Sequence, residues 1–215
     1  MPSRTVPFVN GEYYHIFNRG VAKMPIFINA LDYKRFTKTI LYYQIDGHKP
    51  KLSRFLLMKT PLKENNKIVE IISYCLMPNH FHFLLRQSKE GGITEFISKL
   101  SNSYTKYLNT KHNRVGPILQ GEFKSVHIDS NEQLIHISRY IHLNPLVGYI
   151  TIHIETYTWS SYPEYIGIDD TRVCLKEIIL DQFKSTQEYK KFVLDQEDYG
   201  KQLELIKHQL LDFEG

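Results

Sequence analysis

Segments that alternate between apolar and polar residues and segments with helical periodicity follow one another along this chain in an order that restricts its fold. The strands are expected at residues 13–18, 68–77, 80–86 and 122–128, and the helices at about 31–44, after the glycine pair at 91–92 and at about 131–143. A further run, 53–58, fits a strand or a helix equally well. Strands and helices mixed in this way predict an α+β sandwich, in which helices pack on one face of an antiparallel sheet.

Composition and charge restrict the class of protein more than its function. Hydrophobic residues make up 42% of the 215 residues and aromatic residues 13%, so the chain has enough apolar side chains for a core and is not expected to be disordered. The 27 Lys and Arg against 23 Asp and Glu leave a net charge of +4, which favours nucleic-acid binding weakly and fits an ordinary basic protein as well.

Neither the cysteines nor the apolar segments point to secretion or to a membrane. Cys75 and Cys174 lie far apart in dissimilar surroundings, which does not predict a disulfide framework. No apolar run approaches the roughly 18 residues that span a bilayer, and no basic segment followed by an apolar one opens the sequence. We therefore expect a cytoplasmic protein with no membrane partner.

Two histidines stand two positions apart in the strand predicted at 80–86. They are His80 and His82, separated by Phe81. Because successive side chains of a strand point to opposite faces, both imidazoles leave from one face and can share a metal ion. A structural zinc site would need a second pair of cysteine or histidine ligands, and no such pair is evident. For either histidine taken alone, an ordinary core or surface role is the alternative.

A tyrosine and an asparagine four positions apart, Tyr140 and Asn144, come directly before Pro145. The segment is predicted to form the last turns of a helix that begins after Ser130 and ends at the proline, because the residue before proline disfavours the helical conformation. The spacing places the hydroxyl and the amide on one face of that helix. With 15 tyrosines in the chain, packing against the sheet is the plain alternative.

Several blocks around these two motifs resemble the single-tyrosine HUH transposases, and specifically their REP-associated tyrosine transposase branch. The resemblance covers about residues 10–165. The matching blocks are residues 14–20 (YHIFNRG), 77–82 (MPNHFH), 103–109 (SYTKYLN), 116–124 (GPILQGEFK), 140–145 (YIHLNP) and 159–161 (WSS). The second block carries the histidine–hydrophobic–histidine signature of the family.

The resemblance implies a fold and a division of the chain. The fold would be a ferredoxin- or RRM-like antiparallel sheet with helices on one face, in agreement with the order of the predicted elements. Residues 1–165 would form the HUH tyrosine transposase domain, and residues 166–215 a C-terminal helical extension that no motif covers. Two or three amphipathic helices are expected in 175–213, one of them at 203–211.

The resemblance also implies a reaction and the residues that perform it. His80, His82 and Asn144 would hold a divalent metal ion, Mg²⁺ or Mn²⁺, and Tyr140 would be the nucleophile. The chain would then cleave and rejoin single-stranded, hairpin-bearing DNA through a 5′-phosphotyrosine intermediate. Because two imidazoles and an amide add no negative charge, we expect weak metal binding in the absence of DNA.

Three basic residues are the candidates for contacts with DNA phosphates. Arg114 and Lys124, with Lys111 nearby, cluster in or near the loop and strand that precede the helix of Tyr140, and Arg19 is expected at one end of the sheet. Contacts of this kind would make the affinity for DNA fall as salt rises. A surface salt bridge is the plain alternative for Arg19.

Two other functions share this fold. A hairpin-binding protein that no longer cuts DNA would bind with strong salt dependence and form no adduct. An RRM-like RNA-binding protein would need the aromatic signature of that family in its strands, and the sequence has no clean match. Tyr104, Tyr107 and Phe123 could stack on unpaired bases, although core packing is the expected role of each. The sequence leaves the oligomeric state open between monomer and homodimer.

Overall fold

The strands and long helices follow the predicted order closely. The computed structural model describes residues 7–47, 49–58 and 66–195. Within these ranges the strands are β1 Tyr13–Arg19, β2 Val69–Met77, β3 His80–Gln87 and β4 Lys124–Ile128. The helices are α1 Ala30–Tyr43, α2 Leu52–Phe55, α3 Gly92–Lys111, α4 Asn131–Val147, α5 Tyr162–Tyr165, α6 Glu177–Leu180 and α7 Thr186–Leu194. The ambiguous run 53–58 begins within the helix α2 and is not a strand.

The four strands form one antiparallel sheet in the order β2-β3-β1-β4. Strands β2 and β3 are joined by a two-residue loop at Pro78 and Asn79, so they form a hairpin. Strand β1 lies in the centre, between β3 and β4. The predicted α+β fold with an antiparallel sheet is confirmed.

Helices cover both faces of this sheet, and here the prediction of a single helical face is corrected. On one face, Phe81 and Phe83 of β3 share a buried apolar core with α1 and α3. On the other face, Leu84 shares a second core with residues of α4. Strand β3 is therefore buried on both faces from Phe81 to Leu85. Alternation of apolar and polar residues along a strand predicts that one face is buried. It does not show that a second layer of helices covers the other face.

Helix α4 begins as the sequence predicts. The side-chain oxygen of Ser130 accepts a hydrogen bond from the backbone N–H of Gln133 at 3.1 Å, which satisfies one of the free donors of the first turn. Leu134, Ile137 and Ile141 then face the sheet and are at most 2% exposed. This spacing fixes the rotation of the helix and therefore the face from which its other side chains leave.

Helix α4 does not end at Pro145, contrary to the prediction, and continues to Val147. A proline in the last turn removes a single backbone donor, the one that would bond to the carbonyl of Ile141. The turn is closed beyond the proline, where the backbone N–H of Gly148 donates to the carbonyl of Asn144 at 2.8 Å. The conformational restriction on Asn144 is therefore outweighed by a closed helix end and a buried proline ring.

The described part of the predicted extension packs against the same helix and against the sheet edge. The backbone N–H of Leu175 donates to the carbonyl of Ile71 in β2 at 2.8 Å. The hydroxyl of Tyr189 in α7 lies 2.6 Å from the Ser138 hydroxyl of α4, in a fully buried contact. The first bond holds the segment before α6 to the edge of the sheet, and the second holds α7 to the outer side of α4.

The remaining predictions for this end of the chain lie partly outside the described residues. Helices α6 and α7 fall in the interval 175–213 where helices were expected. The helix predicted at 203–211 lies outside the described residues, and the division at residue 165 stays a prediction. In the described part of the chain, no helix combines the length and the apolar content of a membrane span.

Replacing Ser130 by alanine should lower the free energy of unfolding by about 1 kcal/mol, because a donor at the start of α4 loses its acceptor. Urea denaturation followed by circular dichroism measures the change. Ser88→Ala, at an exposed position after β3, is the matched control and should leave the stability within experimental error. Equal stability of the wild type and Ser130→Ala would contradict this account of the start of α4.

Candidate functional site

The register of the sheet places three histidine-bearing positions of β1 and β3 on the face that α4 covers. Directly opposite pairs in an antiparallel ladder point to the same side of the sheet. His80 lies opposite Arg19, and His82 lies opposite Phe17. His15 stands two positions before Phe17, and its side chain leaves from the same face.

Helix α4 carries Tyr140 directly over these imidazoles. The centre of the Tyr140 ring lies 5.5 Å from that of His82 and 5.8 Å from that of His15, and both contacts are edge-to-face. The His80 and His82 rings are themselves 5.0 Å apart. The two sequence motifs, about sixty residues apart in the chain, therefore meet in the structure.

Asn144 stands between the tyrosine and the histidines. Its side-chain N–H donates to the backbone carbonyl of Tyr140 at 2.8 Å, so its amide oxygen remains the atom able to accept a bond or bind a cation. The amide also lies close enough to the side chains of His80 and Tyr140 to shift the pKa of both. Residue spacing of four along α4 produces this contact, as the sequence predicts.

The Nδ1 atoms of both motif histidines are engaged by other side chains. His80 Nδ1 lies 2.6 Å from the amide oxygen of Asn79, and His82 Nδ1 lies 2.9 Å from His15 Nε2. The amide oxygen can only accept, so His80 donates from Nδ1 and carries its lone pair on Nε2. When His82 likewise donates to His15, both imidazoles offer Nε2 to a common ligand.

His15 is the residue that sequence reasoning missed at this site. It is fully buried, its ring stacks on His82 at 5.1 Å between centres, and its Nδ1 has no hydrogen-bond partner among the described residues. The sequence does contain a signal for this residue, because His15 lies in the matching block 14–20 and two positions before Phe17 on a predicted strand. A contact between two strands cannot be identified from the pattern of one strand, so the sequence does not predict the pairing of His15 with His82.

Burial keeps the imidazoles of the site neutral. It lowers the pKa of His80 to about 4, against a smaller rise from the bond with Asn144, and the nearby charge of Arg19 lowers that pKa further. Burial lowers the pKa of His15 to about 3. The pKa of His82 lies well below its usual value for the same reason, with a further contribution from its two histidine neighbours. Neutral imidazoles at pH 7 are the form that binds metal ions.

The phenol of Tyr140 is harder to ionise than a free tyrosine. Burial raises its pKa to about 12, against the hydrogen bond of Asn144, which lowers it. His142, two residues later, does not serve as its base, because both of its ring nitrogens are bonded elsewhere in the interior. They lie 2.7 Å from the Tyr189 hydroxyl and 2.8 Å from the Ser161 hydroxyl.

The structure brings two of the three candidate DNA-binding residues to this face of the sheet. Arg19 is the cross-strand neighbour of His80, and its Nε donates to the side-chain oxygen of Gln120 at 3.0 Å. Lys124 lies opposite Phe17 on β4. Arg114 instead lies in the exposed loop that follows α3. Arg19 and Lys124 therefore border the site, and Arg114 belongs to a different element.

The side chains suggested for base stacking are largely committed to packing. Tyr104 is 1% exposed, and its hydroxyl donates to the backbone carbonyl of Ile26. The Tyr107 hydroxyl donates to Asp32. Phe123 is partly buried against the core of α1 and α3. Core packing, the expected role of each, is what the structure shows.

The donor set decides which kind of metal the site could hold. Within residues 7–47, 49–58 and 66–195, no group of three or more His, Cys, Asp and Glu side chains is arranged to hold a metal ion. A site here would therefore combine His80 and His82 with the amide oxygen of Asn144. Such a mixed nitrogen and oxygen set, with positions left for water and phosphate, suits Mg²⁺ or Mn²⁺ better than a structural zinc ion.

Comparisons with known proteins agree with the sequence motifs. Residues 48–144 match the family described as IS200-like transposase, an interval that contains His80, His82, Tyr140 and Asn144. No curated protein matches the chain.

A solved structure has a similar fold. It is that of a REP-associated tyrosine transposase bound to a REP hairpin, with a TM-score of 0.58 and 13% sequence identity over 81% of this chain and 97% of that one. At this identity the likeness concerns the fold. Together the two comparisons confirm the resemblance that the sequence motifs predict.

Replacing His15 by phenylalanine should remove the preference of His82 for a single tautomer. It should also lower the free energy of unfolding by about 1–3 kcal/mol, because Nδ1 of His82 is left buried without a partner. Nitrogen-15 NMR of the imidazoles reads the tautomer directly, and urea denaturation reads the stability. His15→Gln, which returns a polar group near the position of the imidazole nitrogen, is the control and should recover part of both. A His82 tautomer unchanged in His15→Phe would contradict the coupling.

Proposed function

We propose that this chain, which carries an IS200-like transposase region in residues 48–144, cleaves and rejoins single-stranded DNA through Tyr140. The observation that carries the proposal is the meeting of Tyr140 and Asn144 from α4 with His80 and His82 from β3. These four side chains come from two elements that are distant in sequence. They supply a nucleophile and three neutral ligand atoms on one buried face.

The residues fit a divalent cation, Mg²⁺ or Mn²⁺, held by His80, His82 and the oxygen of Asn144. Both histidines are neutral, and the bond of Nδ1 to Asn79 or to His15 orients each ring. Outer bonds of this kind fix the tautomer of metal-binding histidines. When bound, the cation would act as a Lewis acid on the non-bridging oxygens of the scissile phosphate.

Tyr140 performs the covalent step. Its phenolic oxygen attacks the phosphorus and gives up its proton to solvent, the bond from phosphorus to the 3′ oxygen breaks, and the leaving 3′ oxygen takes up a proton from solvent. The products are a 5′-phosphotyrosine and a 3′-hydroxyl on the other strand end. Attack by a different 3′-hydroxyl reverses the step, returns the proton to Tyr140 and joins DNA without ATP.

Because Tyr140 is buried, the loss of its phenolic proton is the part of the reaction that needs most assistance. With a pKa of about 12 the phenol is almost entirely protonated at pH 7. The Asn144 bond favours the phenolate, and positive charge brought near the phenol by the phosphate-bound cation would favour it further. In the free protein we therefore expect Tyr140 to be unreactive, which protects the site until substrate arrives.

The substrate is proposed to be single-stranded DNA that carries a hairpin. The solved relative of similar fold binds a REP hairpin, and Arg19 and Lys124 border the candidate site on the same face of the sheet. Both residues lie where a strand that enters the site would present its phosphates.

Replacing Tyr140 by phenylalanine should abolish the covalent adduct while hairpin binding is retained, because the ring packing remains and the nucleophilic oxygen is removed. Incubation with hairpin oligonucleotides and Mg²⁺ or Mn²⁺, followed by a denaturing gel, measures the adduct. Tyr149→Phe is the matched control, since Tyr149 is 96% exposed just after α4, and it should react as the wild type. An adduct formed by Tyr140→Phe at the normal rate would rule out the assignment.

Replacing His80 by alanine should slow metal-supported cleavage by about 100-fold or more, the scale of removing one electrostatic interaction with the transition state. DNA affinity should change little. Adduct formation is measured as Mg²⁺ and Mn²⁺ are titrated, with His153→Ala, at an exposed histidine, as the control. Unchanged cleavage and unchanged metal dependence in His80→Ala would remove this residue from the metal site.

A further inference from the structure

One hydroxyl group of the C-terminal segment is bonded to the helix of Tyr140 at two points. Tyr189 of α7 is fully buried, and its hydroxyl lies 2.6 Å from the Ser138 hydroxyl and 2.7 Å from Nδ1 of His142. Both partners are themselves fully buried. Tyr189 lies outside residues 48–144, the interval that matches the transposase family, and the proposed chemistry gives it no role.

The chain of hydrogen bonds continues from α4 to strand β2. Nε2 of His142 lies 2.8 Å from the hydroxyl of Ser161, which is 1% exposed. That hydroxyl accepts from the backbone N–H of Tyr74 in β2 at 2.9 Å and donates to the carbonyl of the same residue at 3.2 Å. A single imidazole of α4 is therefore bonded to α7 through one nitrogen and to the sheet through the other.

The donor of each bond in this chain follows from its neighbour. The hydroxyl of Ser161 has one proton, which it gives to a carbonyl, so it accepts from His142. Burial lowers the pKa of His142 to about 3, so the imidazole is neutral and its other nitrogen accepts from Tyr189. The Tyr189 oxygen in turn accepts from Ser138. A buried network in which each member has its partner specifies one arrangement of the elements that carry it.

These bonds lie on the side of α4 away from the candidate site. At about 100° per residue, Ser138 and His142 share one side of the helix. Tyr140 and Asn144 share another, about 160° away. The apolar stripe that packs on the sheet lies between these two sides. Any roll of α4 about its axis therefore moves both sides together.

Hydrogen bonds define the roll of α4 more narrowly than apolar packing does. The apolar stripe determines which side of the helix faces the sheet, but burial of apolar area is non-directional, whereas hydrogen bonds weaken steeply with angle. Side chains extend about 6 Å from a helix axis, so a roll of about 10° displaces a side-chain group by about 1 Å. A misplacement of about 1 Å can slow a reaction about 100-fold.

Helix α7 has a second attachment to the same turn of α4. Nη1 of Arg139 donates to the backbone carbonyl of Phe192 at 3.2 Å, and the guanidinium lies 4.3 Å from the centre of the Phe192 ring. Arg139 is 1% exposed. Phe192 and Tyr189 lie about one helical turn apart, so the two attachments hold α7 along α4 and keep the Tyr189 hydroxyl in place.

We propose that the Tyr189 hydroxyl, through its bonds to α4, holds that helix at the roll that places Tyr140 for attack on the phosphate. This inference rests on the proposed function for the reaction, and it assigns a role to the described part of the C-terminal extension. Because Tyr189 lies on the far side of α4 from the site, its loss lowers the rate of attack and leaves the affinity for DNA unchanged.

The test begins with Tyr189→Phe, which removes the hydroxyl and keeps the ring. The ring packs against those of Tyr165 and Phe183 at 5.2 and 5.1 Å between centres. At saturating hairpin and Mn²⁺, the variant should form the Tyr140 adduct about 10- to 100-fold more slowly, while its affinity for the hairpin equals that of the wild type. Denaturing gels measure the rate, and fluorescence anisotropy measures the affinity.

Tyr42→Phe is the matched control for the loss of a buried hydroxyl. Tyr42 is 8% exposed, and its hydroxyl donates to the carbonyl of Pro50 at 2.9 Å, away from α4. Its replacement should lower the stability and leave the rate of adduct formation unchanged. Equal slowing in Tyr42→Phe and Tyr189→Phe would show a general effect of stability and refute the proposal.

Ser138→Ala removes one of the two bonds of the Tyr189 hydroxyl to α4. Alone it should slow adduct formation in the same direction as Tyr189→Phe but by less. Added to Tyr189→Phe it should cause little further slowing, because the hydroxyl that it bonds is already gone. Effects of the two substitutions that multiply in full would contradict their action through one network.

A second measurement reads the placement of Tyr140 without any reaction. Its ring lies 5.5 Å from that of His82 and 5.8 Å from that of His15, so its ring current contributes to the NMR signals of both imidazoles. Those signals should move in Tyr189→Phe and stay in place in Tyr42→Phe. Unmoved imidazole signals, or a wild-type rate of adduct formation, in Tyr189→Phe would overturn the proposal.

The two measurements distinguish this proposal from the proposed function. A protein that forms no adduct, but whose imidazole signals move in Tyr189→Phe, retains the positioning of α4 and lacks the cleavage reaction. A protein that cleaves through Tyr140, with the same rate and the same imidazole signals in Tyr189→Phe, shows the reverse.

Discussion

The packing of helix α4 across β2 and β3 is the interaction on which the candidate site depends. Leu134, Ile137 and Ile141 bury one side of the helix against the sheet. This packing fixes the rotation of α4 and presents Tyr140 to the imidazoles of the neighbouring strands. The α6 and α7 segment packs on the outer side of the same helix, so α4 lies between two packed layers and has little freedom to turn.

Burial in this layered arrangement has opposite consequences for the two chemical groups of the site. The histidines become permanently neutral near pH 7, which prepares them as ligands. The phenol of Tyr140 becomes harder to ionise, which keeps it unreactive in the free protein. One physical cause, the removal of water, therefore accounts for imidazoles that suit the proposed metal site and for a phenol that, as the proposed nucleophile, would depend on its substrate.

Sequence patterns predicted most of the strands and long helices, and which side chains share one face of β3 and one face of α4, because both depend on local periodicity. The strand of His80 and His82 and the helix of Tyr140 and Asn144 follow from spacings of two and four residues. What escaped prediction depends on interactions between distant segments. The second helix-covered face, the buried partner of His82 at His15, and the continuation of α4 through a proline are fixed by tertiary packing.

Mass spectrometry of the trapped protein–DNA adduct tests the central claim most directly. The protein is incubated with a hairpin oligonucleotide and Mn²⁺, digested with nuclease and protease, and the peptide that carries the nucleotide is fragmented. We predict that the added nucleotide mass lies on the oxygen of Tyr140. Attachment to a different residue, or recovery of unmodified Tyr140 from DNA that has been cleaved, would contradict the assignment of Tyr140 as the nucleophile.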